Sequence, residues 1–275
     1  MIRVGIDSGT TLTKFCWLDT ETGKYRFRTE EDKVGILNAV LQVERLGAES
    51  ANLLGIGSRP GLEGLKLVRK EGDPIDNELR IQGDGARRVL ALSGQNFSDK
   101  SFFLVSIGTG TSYVIVHPDG IDKLPLGSML GGGFISGLAA LTLPVSWSFE
   151  ELNAAAAEGV PADIFVRDLV KPEEIDPNDP NLIVSNFGRA DRLYTSKNAI
   201  AATIFHCVAA NIVRDVLLMN KGCKQVVFIG TPVSASTVLT RYLSEYSRLL
   251  KLEPVFPSAE YAAYAGAMGA LHMND

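Results

Sequence analysis

The sequence predicts an α/β fold, and three observations carry that prediction. Strand-like apolar runs alternate with helix-spaced apolar positions along both halves of the 275 residues. A strand, a Gly/Thr-rich turn and a second strand occur at the start and again around residue 108. The longest helical stretch, Ser196 to Leu218, carries charge only near its ends, as a helix buried centrally or at a subunit interface does.

The elements follow in order. Ile2, Val4 and Ile6 alternate, Asp7-Ser8-Gly9-Thr10-Thr11 turns, and Leu12 to Leu18 resumes a strand with Phe15 and Trp17. Residues 24–29 read as a third strand. Asp32 to Leu46 spaces Val34, Ile36, Leu37, Val40 and Leu41 as a helix, and Ala51 to Ile56 is a buried strand. A polar segment then runs to Pro74. Asn77 to Leu92 predicts a helix with Leu79, Gln82, Ala86, Val89 and Leu90 near one face; Gly83 and Gly85 each weaken it by ~1 kcal/mol relative to alanine. Strands at Phe102 to Ile107 and Ser112 to Val116 flank Gly108-Thr109-Gly110. Gly131-Gly132-Gly133 opens a helix through Leu141, and Ser148 with Glu151 three residues on marks another helix start. Residues 171–180 read as a loop. After the helix at 196–218 come a strand at Gln225 to Gly230, a helix at 234–249, a strand at Leu252 to Phe256 and an Ala/Gly-rich helix at 258–272.

Composition narrows the function. Lys and Arg number 27 against 32 Asp and Glu, a formal charge of −5 with a pI near 5.4. Such a chain offers no general footprint for nucleic acid or an anionic membrane. With 45% hydrophobic and 21% charged residues it buries a substantial core. Cys16, Cys207 and Cys223 are odd in number and show no CxxC spacing, which argues against a disulfide framework and fits a reducing cytoplasm. The N-terminal MIRVGIDSGT lacks the apolar core of a signal peptide. Leu124 to Phe149 is uncharged and long enough to span a bilayer, but its five glycines, Pro125 and Pro144 make it a glycine-rich turn leading into a buried helix. A soluble cytoplasmic protein is expected.

The duplicated turn carries the chemistry. Asp7-Ser8-Gly9-Thr10-Thr11-Leu12-Thr13-Lys14 and Ser106-Ile107-Gly108-Thr109-Gly110-Thr111-Ser112 both place small and hydroxyl residues between strands. Glycine lets the main chain approach a ligand, and successive N–H groups then hold anionic oxygens. Thr10, Thr11 and Thr109 add hydroxyl donors, and Lys14 reaches a phosphate as a point charge. Asp7 suits a hydrated Mg²⁺, an ion that takes few carboxylates. Neither turn is a Walker loop, and Gly131-Gly132-Gly133 is not a GxGxxG fingerprint.

These residues resemble the actin/hexokinase/Hsp70 superfamily and, within it, the type II pantothenate kinases. The matching stretches are GIDSGTTLTK at 5–14, VSIGTGTSYVIV at 105–116, LGGGFISGLAAL at 130–141, SNFGR at 185–189, VVFIGTPV at 226–233 and YAAYAGAMGAL at 261–271. The resemblance implies two ribonuclease-H-like α/β domains, residues 1–98 and 99–275, with ATP in the cleft between them. Residues 7–14 would wrap the phosphates and Thr109 would approach from the other side. Gly132, Gly133, Phe134, Ile135 and Ser136 would line the nucleotide at a helix N-terminus, where N–H groups favour anions. By the same resemblance Phe149 and Thr231 would stand near the adenosine, and Mg²⁺ and ATP are the implied cofactor and co-substrate.

Phosphoryl transfer to a hydroxyl needs a group to accept its proton. The family glutamate aligns with Glu78, and a shifted alignment offers Asp84. The family arginine that holds the pantothenate carboxylate aligns with Leu124, preceded by Lys123; lysine lacks the planar bidentate fork. Three functions therefore compete: phosphorylation of pantothenate, phosphorylation of another small hydroxylated substrate, and a non-catalytic nucleotide- or acyl-CoA-binding regulator. An ATPase activator of radical dehydratases shares DSGTT but needs bridging cysteines that this chain lacks. His117, His206 and His272 show no metal-ligand spacing, and His206 reads as a hydrogen-bonded core histidine. Phe205, Val208, Ala209, Ile212 and Val216 share one helix face, expected to meet another helix or its symmetry mate in a homodimer.

Overall fold

Two five-stranded sheets organise the chain, and both have the same topology. The structure is a computed structural model and describes residues 2–55, 60–144, 146–175, 181–191 and 195–274. Ile56 and residues 176–180, assigned above to a strand and a loop, lie outside the described residues.

The first half runs β1 (Val4–Ser8), β2 (Thr13–Leu18), β3 (Tyr25–Glu30), α1 (Lys33–Arg45), β4 (Ser50–Leu54), β5 (Lys66–Val68) and α2 (Pro74–Leu92). The second opens with β6 (Phe102–Ile107), β7 (Thr111–His117), β8 (Gly120–Lys123), α3 (Gly132–Thr142) and α4 (Phe149–Glu158). A short hairpin of β9 (Ile164–Phe165) and β10 (Ile183–Ser185) precedes α5 (Lys197–Met219). Then come β11 (Gln225–Ile229), α6 (Thr231–Ala235), α7 (Thr237–Leu249), β12 (Glu253–Val255), α8 (Ala259–Ala262) and α9 (Ala265–Leu271).

The first sheet has the order β3-β2-β1-β4-β5 and the second the matching order β8-β7-β6-β11-β12. In each, three antiparallel strands are followed by two parallel ones. The recurring strand–turn–strand unit is thus the first hairpin of each sheet. Its register closes at Ser8 opposite Thr13 and at Ile107 opposite Thr111. The central strand β6 reads as a near-continuous apolar run because it is covered on both faces. Phe102, Phe103, Leu104, Val105 and Ile107 are all wholly buried.

Helices α2 and α9 pack against each other between the sheets. α9 lies against β1 and β4 although it comes from the end of the chain, and α2 lies against β7 and β8. The crossing explains Gly85 of α2 and Gly269 of α9, whereas Gly83 faces the Val116 and Ile121 side chains. A Cβ on Gly85 would stand 1.8 Å from the Ala265 carbonyl oxygen, and one on Gly269 would stand 1.9 Å from that of Ile81. Close backbone approach offsets the propensity cost of glycine.

Several expectations are corrected. α2 begins three residues earlier than periodicity suggested: the Asp73 carboxylate accepts from the Ile75 and Asp76 N–H groups, and Pro74 takes the first turn, where no N–H is needed. Ser236 interrupts the helix expected at 234–249 and caps α7 through the Leu239 N–H. The helix expected at 258–272 breaks between α8 and α9. α3 is a surface helix, with Ile135 and Ala139 buried and Leu141 exposed, rather than a buried one. Short β5, β8, β9 and β10 were not anticipated, since two to four residues show no alternation.

α5 is long and apolar enough to cross a membrane, but most of that stretch is buried inside the chain. Phe205, Val208, Ala209, Ile212 and Val216 are wholly buried in one chain, within the core formed with α3, α4 and α7. That face is therefore unavailable to a symmetry mate. The homodimer expected around this helix loses its interface.

Candidate active site

A cleft of about 760 Å³ brings together the β1–β2 turn, the β6–β7 turn, the start of α3, and Glu78 of α2. On its first wall Asp7, Gly9, Thr10, Thr11, Leu12 and Lys14 face the space. The Gly9 N–H donates to the Leu12 carbonyl at 3.0 Å and tightens the turn. Lys14 Nζ lies 3.6 Å from Asp7 Oδ2, both side chains largely buried. Ser8 and Thr13 do not line the cleft; they are buried at the hairpin's closing pair and support it.

On the opposite wall Thr109 is tied directly to the first, its hydroxyl 3.1 Å from that of Thr11. The Gly132 N–H donates to the Gly108 carbonyl at 2.8 Å, and the Gly133 N–H to that of Thr109 at 3.0 Å. These two helix-start donors, expected to face the nucleotide, instead clamp the second turn onto α3. The clamp explains Gly131, where a Cβ would lie 2.7–2.8 Å from the carbonyl oxygens of Gly108, Thr109 and Gly110. Gly132, Gly133 and Ser136 line the cleft, whereas Phe134 and Ile135 do not. Ile135 is wholly buried in the core behind them, and Phe134 packs on that core.

Phe149 and Thr231 stand on the same lining. Phe149 also meets Phe205 edge-on at 5.6 Å, so the core fixes the ring that borders the cleft. Thr231 Oγ1 is buried with no hydrogen-bond partner. An orphaned hydroxyl at a cleft wall suits a polar ligand such as a nucleotide.

Glu78 sits in the second turn of α2, beyond the reach of a first-turn dipole role. Its Oε1 accepts from Gln82 Nε2 at 3.2 Å, and Gln82 Oε1 accepts from Ser112 Oγ at 3.5 Å. Burial, and then the charge of Asp7, push its carboxyl above the usual glutamate range. Asp84 is exposed and absent from the cleft lining. Lys123 is also absent from it: its Nζ pairs with Asp76 Oδ1 at 2.7 Å, and Leu124 is buried in the core. No cluster of three His, Cys, Asp or Glu side chains suited to a metal occurs among the described residues. The single carboxylate of Asp7 still fits Mg²⁺, which keeps most of its water and takes phosphate oxygens.

Sequence reasoning missed Gln82, Gly230 and Gly266. Gly230 has φ of 113°, and a Cβ there would lie 1.9 Å from the Ile107 carbonyl; a Cβ on Gly266 would lie 2.6 Å from Asp7 Oδ2. Gln82 reads only as part of the inner face of its helix, and Gly230 and Gly266 only as members of the stretches quoted for the resemblance.

A sequence model of the Fumble family matches residues 92–273. The chain is similar to the type II pantothenate kinase of Bacillus thuringiensis subsp. konkukian (strain 97-27), at 27% identity over 281 residues, covering 98% of this chain and 96% of that one. Among solved structures it is similar to component A of the (R)-2-hydroxyglutaryl-CoA dehydratase of Acidaminococcus fermentans. That likeness has a TM-score of 0.64 and 18% identity over 99% of this chain and 97% of the other. It is also similar to the activator of the 2-hydroxyisocaproyl-CoA dehydratase from Clostridium difficile with bound ADPNP, with a TM-score of 0.63 and 15% identity over 99% and 94% of the two chains. At these identities the two structures show the fold alone, the actin-like arrangement of paired ribonuclease-H-like sheets.

Proposed function

The chain belongs to the Fumble family and is a kinase, and on that premise we propose that it transfers the γ-phosphoryl group of ATP to the primary hydroxyl of pantothenate, giving 4'-phosphopantothenate. The supporting observation is that Glu78 shares one cleft with both Gly/Thr turns. We take residues 1–98 and 99–275 as the two lobes, with α9 returned to the first sheet.

In this reading Lys14, Thr10, Thr11 and Thr109 surround the phosphates, and Phe149 and Thr231 border the adenosine. Asp7 would hold Mg²⁺, which when bound would supply neutralisation of phosphate charge. Glu78 accepts the hydroxyl proton as the acceptor oxygen bonds to the γ-phosphorus and the bond to the β–γ bridging oxygen breaks, releasing ADP. Its raised proton affinity brings it closer to the pH at which it works. The three cysteines are free thiols, in keeping with the cytoplasmic setting we assign.

A second acceptor of the same class is favoured by one observation: Lys123 is committed to Asp76 and Leu124 is buried, so neither replaces the family arginine. Purified protein with ATP and Mg²⁺ should be given pantothenate and a panel of small hydroxylated acids, with phosphorylated product read by mass spectrometry. Product from pantothenate above all others is the expected result. ATP consumption without any phosphorylated acceptor would overturn the proposal.

A further inference from the structure

A second cavity of about 410 Å³ adjoins Glu78, which is the one described residue lining both spaces. Its size suits a small molecule. Leu53, Leu54, Pro74 and Ile81 give it apolar walls, and Arg69 and Lys70 border it. We infer that this cavity receives the acceptor, with its hydroxyl at Glu78, its aliphatic middle on the apolar walls, and a terminal carboxylate at Arg69 and Lys70. The inference rests on the kinase reading of the cleft and supplies the carboxylate anchor that Lys123 and Leu124 do not.

Three features support it. Neither Arg69 nor Lys70 forms an ion pair with a carboxylate among the described residues, whereas Lys123 does. A guanidinium and an ammonium without a carboxylate of their own attract an anionic ligand group. Arg69 Nη1 donates to the Gly55 carbonyl, which holds the guanidinium at the end of β4 where that strand enters the cavity. The Asn77 side-chain amide donates to the Lys70 and Glu71 carbonyls at 3.3 and 2.9 Å, stapling the segment that carries both cations to the helix that carries Glu78. The acceptor end and the proton-accepting end of the cavity are thereby fixed to one element.

The test compares the parent with Lys70→Ala, Arg69→Lys and Arg69→Ala/Lys70→Ala. Acceptor and ATP kinetics are measured with pantothenate and with pantothenyl alcohol, its uncharged counterpart. Loss of a charge-assisted contact is expected to raise the KM for pantothenate ~10–100-fold in the double variant, with the KM for ATP within twofold. Arg69→Lys should recover part of that loss, and the preference for pantothenate over the alcohol should vanish in the double variant. Both cations are exposed, so thermal midpoints near the parent's are expected and separate misfolding from lost binding. A parent that turns over pantothenate while the double variant keeps its KM and its preference overturns the inference and leaves the kinase reading standing. A parent that phosphorylates no acceptor overturns both.

Discussion

The hydroxyls of Thr11 and Thr109, 98 positions apart, meet at 3.1 Å across the cleft. The contact joins the first hairpin of one sheet to the first hairpin of its topological twin. It also fixes the distance between the two turns on which the phosphate-site assignment rests. The second turn is held from behind by Gly132 and Gly133, so its position depends on the absence of a side chain at Gly131.

Gly131→Ala should displace the second turn, since its Cβ would press on three carbonyl oxygens at 2.7–2.8 Å. Overpacking of this kind costs ~1–3 kcal/mol. The KM for ATP is expected to rise at least ~10-fold, with a lower thermal midpoint. An unchanged KM for ATP in a variant with that lower midpoint would place the nucleotide elsewhere.

Glu78→Gln should keep ATP affinity within about twofold of the parent and lower kcat by ~10²–10⁴-fold, the range for loss of a general base. Asp84→Asn should match the parent, because Asp84 is exposed and does not line the cleft. Steady-state kinetics with product quantified directly decides between them. Equal losses in both variants would remove Glu78 from the role.

Glu78 also links activity to stability through pH. Burial and Asp7 make the folded state hold this proton more tightly than the unfolded chain does. The stability it contributes is fully present below the unfolded carboxylate pKa of ~4.3 and is lost as pH rises through the higher folded value. Glu78→Gln should therefore be more stable than the parent at pH 7.5, with the gap narrowing towards pH 4 in urea titrations. The parent's kcat/KM should fall on the acid side at a pH above the ordinary glutamate range. A stability gap that is flat with pH would contradict the shift.

The repeated hairpin was legible because a sharp turn between strands concentrates glycine and hydroxyl residues in a few positions, as at 7–14 and 106–112. The α2–α9 crossing was not. Gly83 and Gly85 looked like defects in a helix because the reason for Gly85, the Ala265 carbonyl, comes from the far end of the chain. Similarly, Phe205, Val208 and Ile212 declared a buried face without saying what buries it; a partner chain and a partner helix give the same periodicity. The clamp of Gly132 and Gly133 onto Gly108 and Thr109 depends on which carbonyls reach a helix start, and no spacing rule encodes that. The cations at Arg69 and Lys70 escaped notice because they stand in a segment that read only as polar.

The last prediction concerns a buried pair outside the cleft lining. Asp163 is wholly buried and accepts from His206 Nδ1–H at 2.5 Å and from the Phe187 N–H at 2.7 Å. His206, on α5, is enclosed by the rings of Tyr242, Tyr246 and Phe165. Phe187 takes a left-handed φ of 58°, which a bulky side chain adopts only where its surroundings hold it. Asp163 thus ties the 185–189 segment to the central helix. Asp163→Ala would leave a buried imidazole and the half-buried Phe187 N–H without their acceptor, and breaking a buried pair from one side costs ~3–5 kcal/mol. His206→Leu would strand the carboxylate and should cost a similar amount. The double variant Asp163→Ala/His206→Leu should lose less than the sum of the two, since neither strands the other. Urea unfolding of the parent, both single variants and the double variant measures the coupling. Additive losses, or a single Asp163→Ala loss within ~0.5 kcal/mol, the ordinary range for surface changes, would show that the pair does not hold this segment to the core.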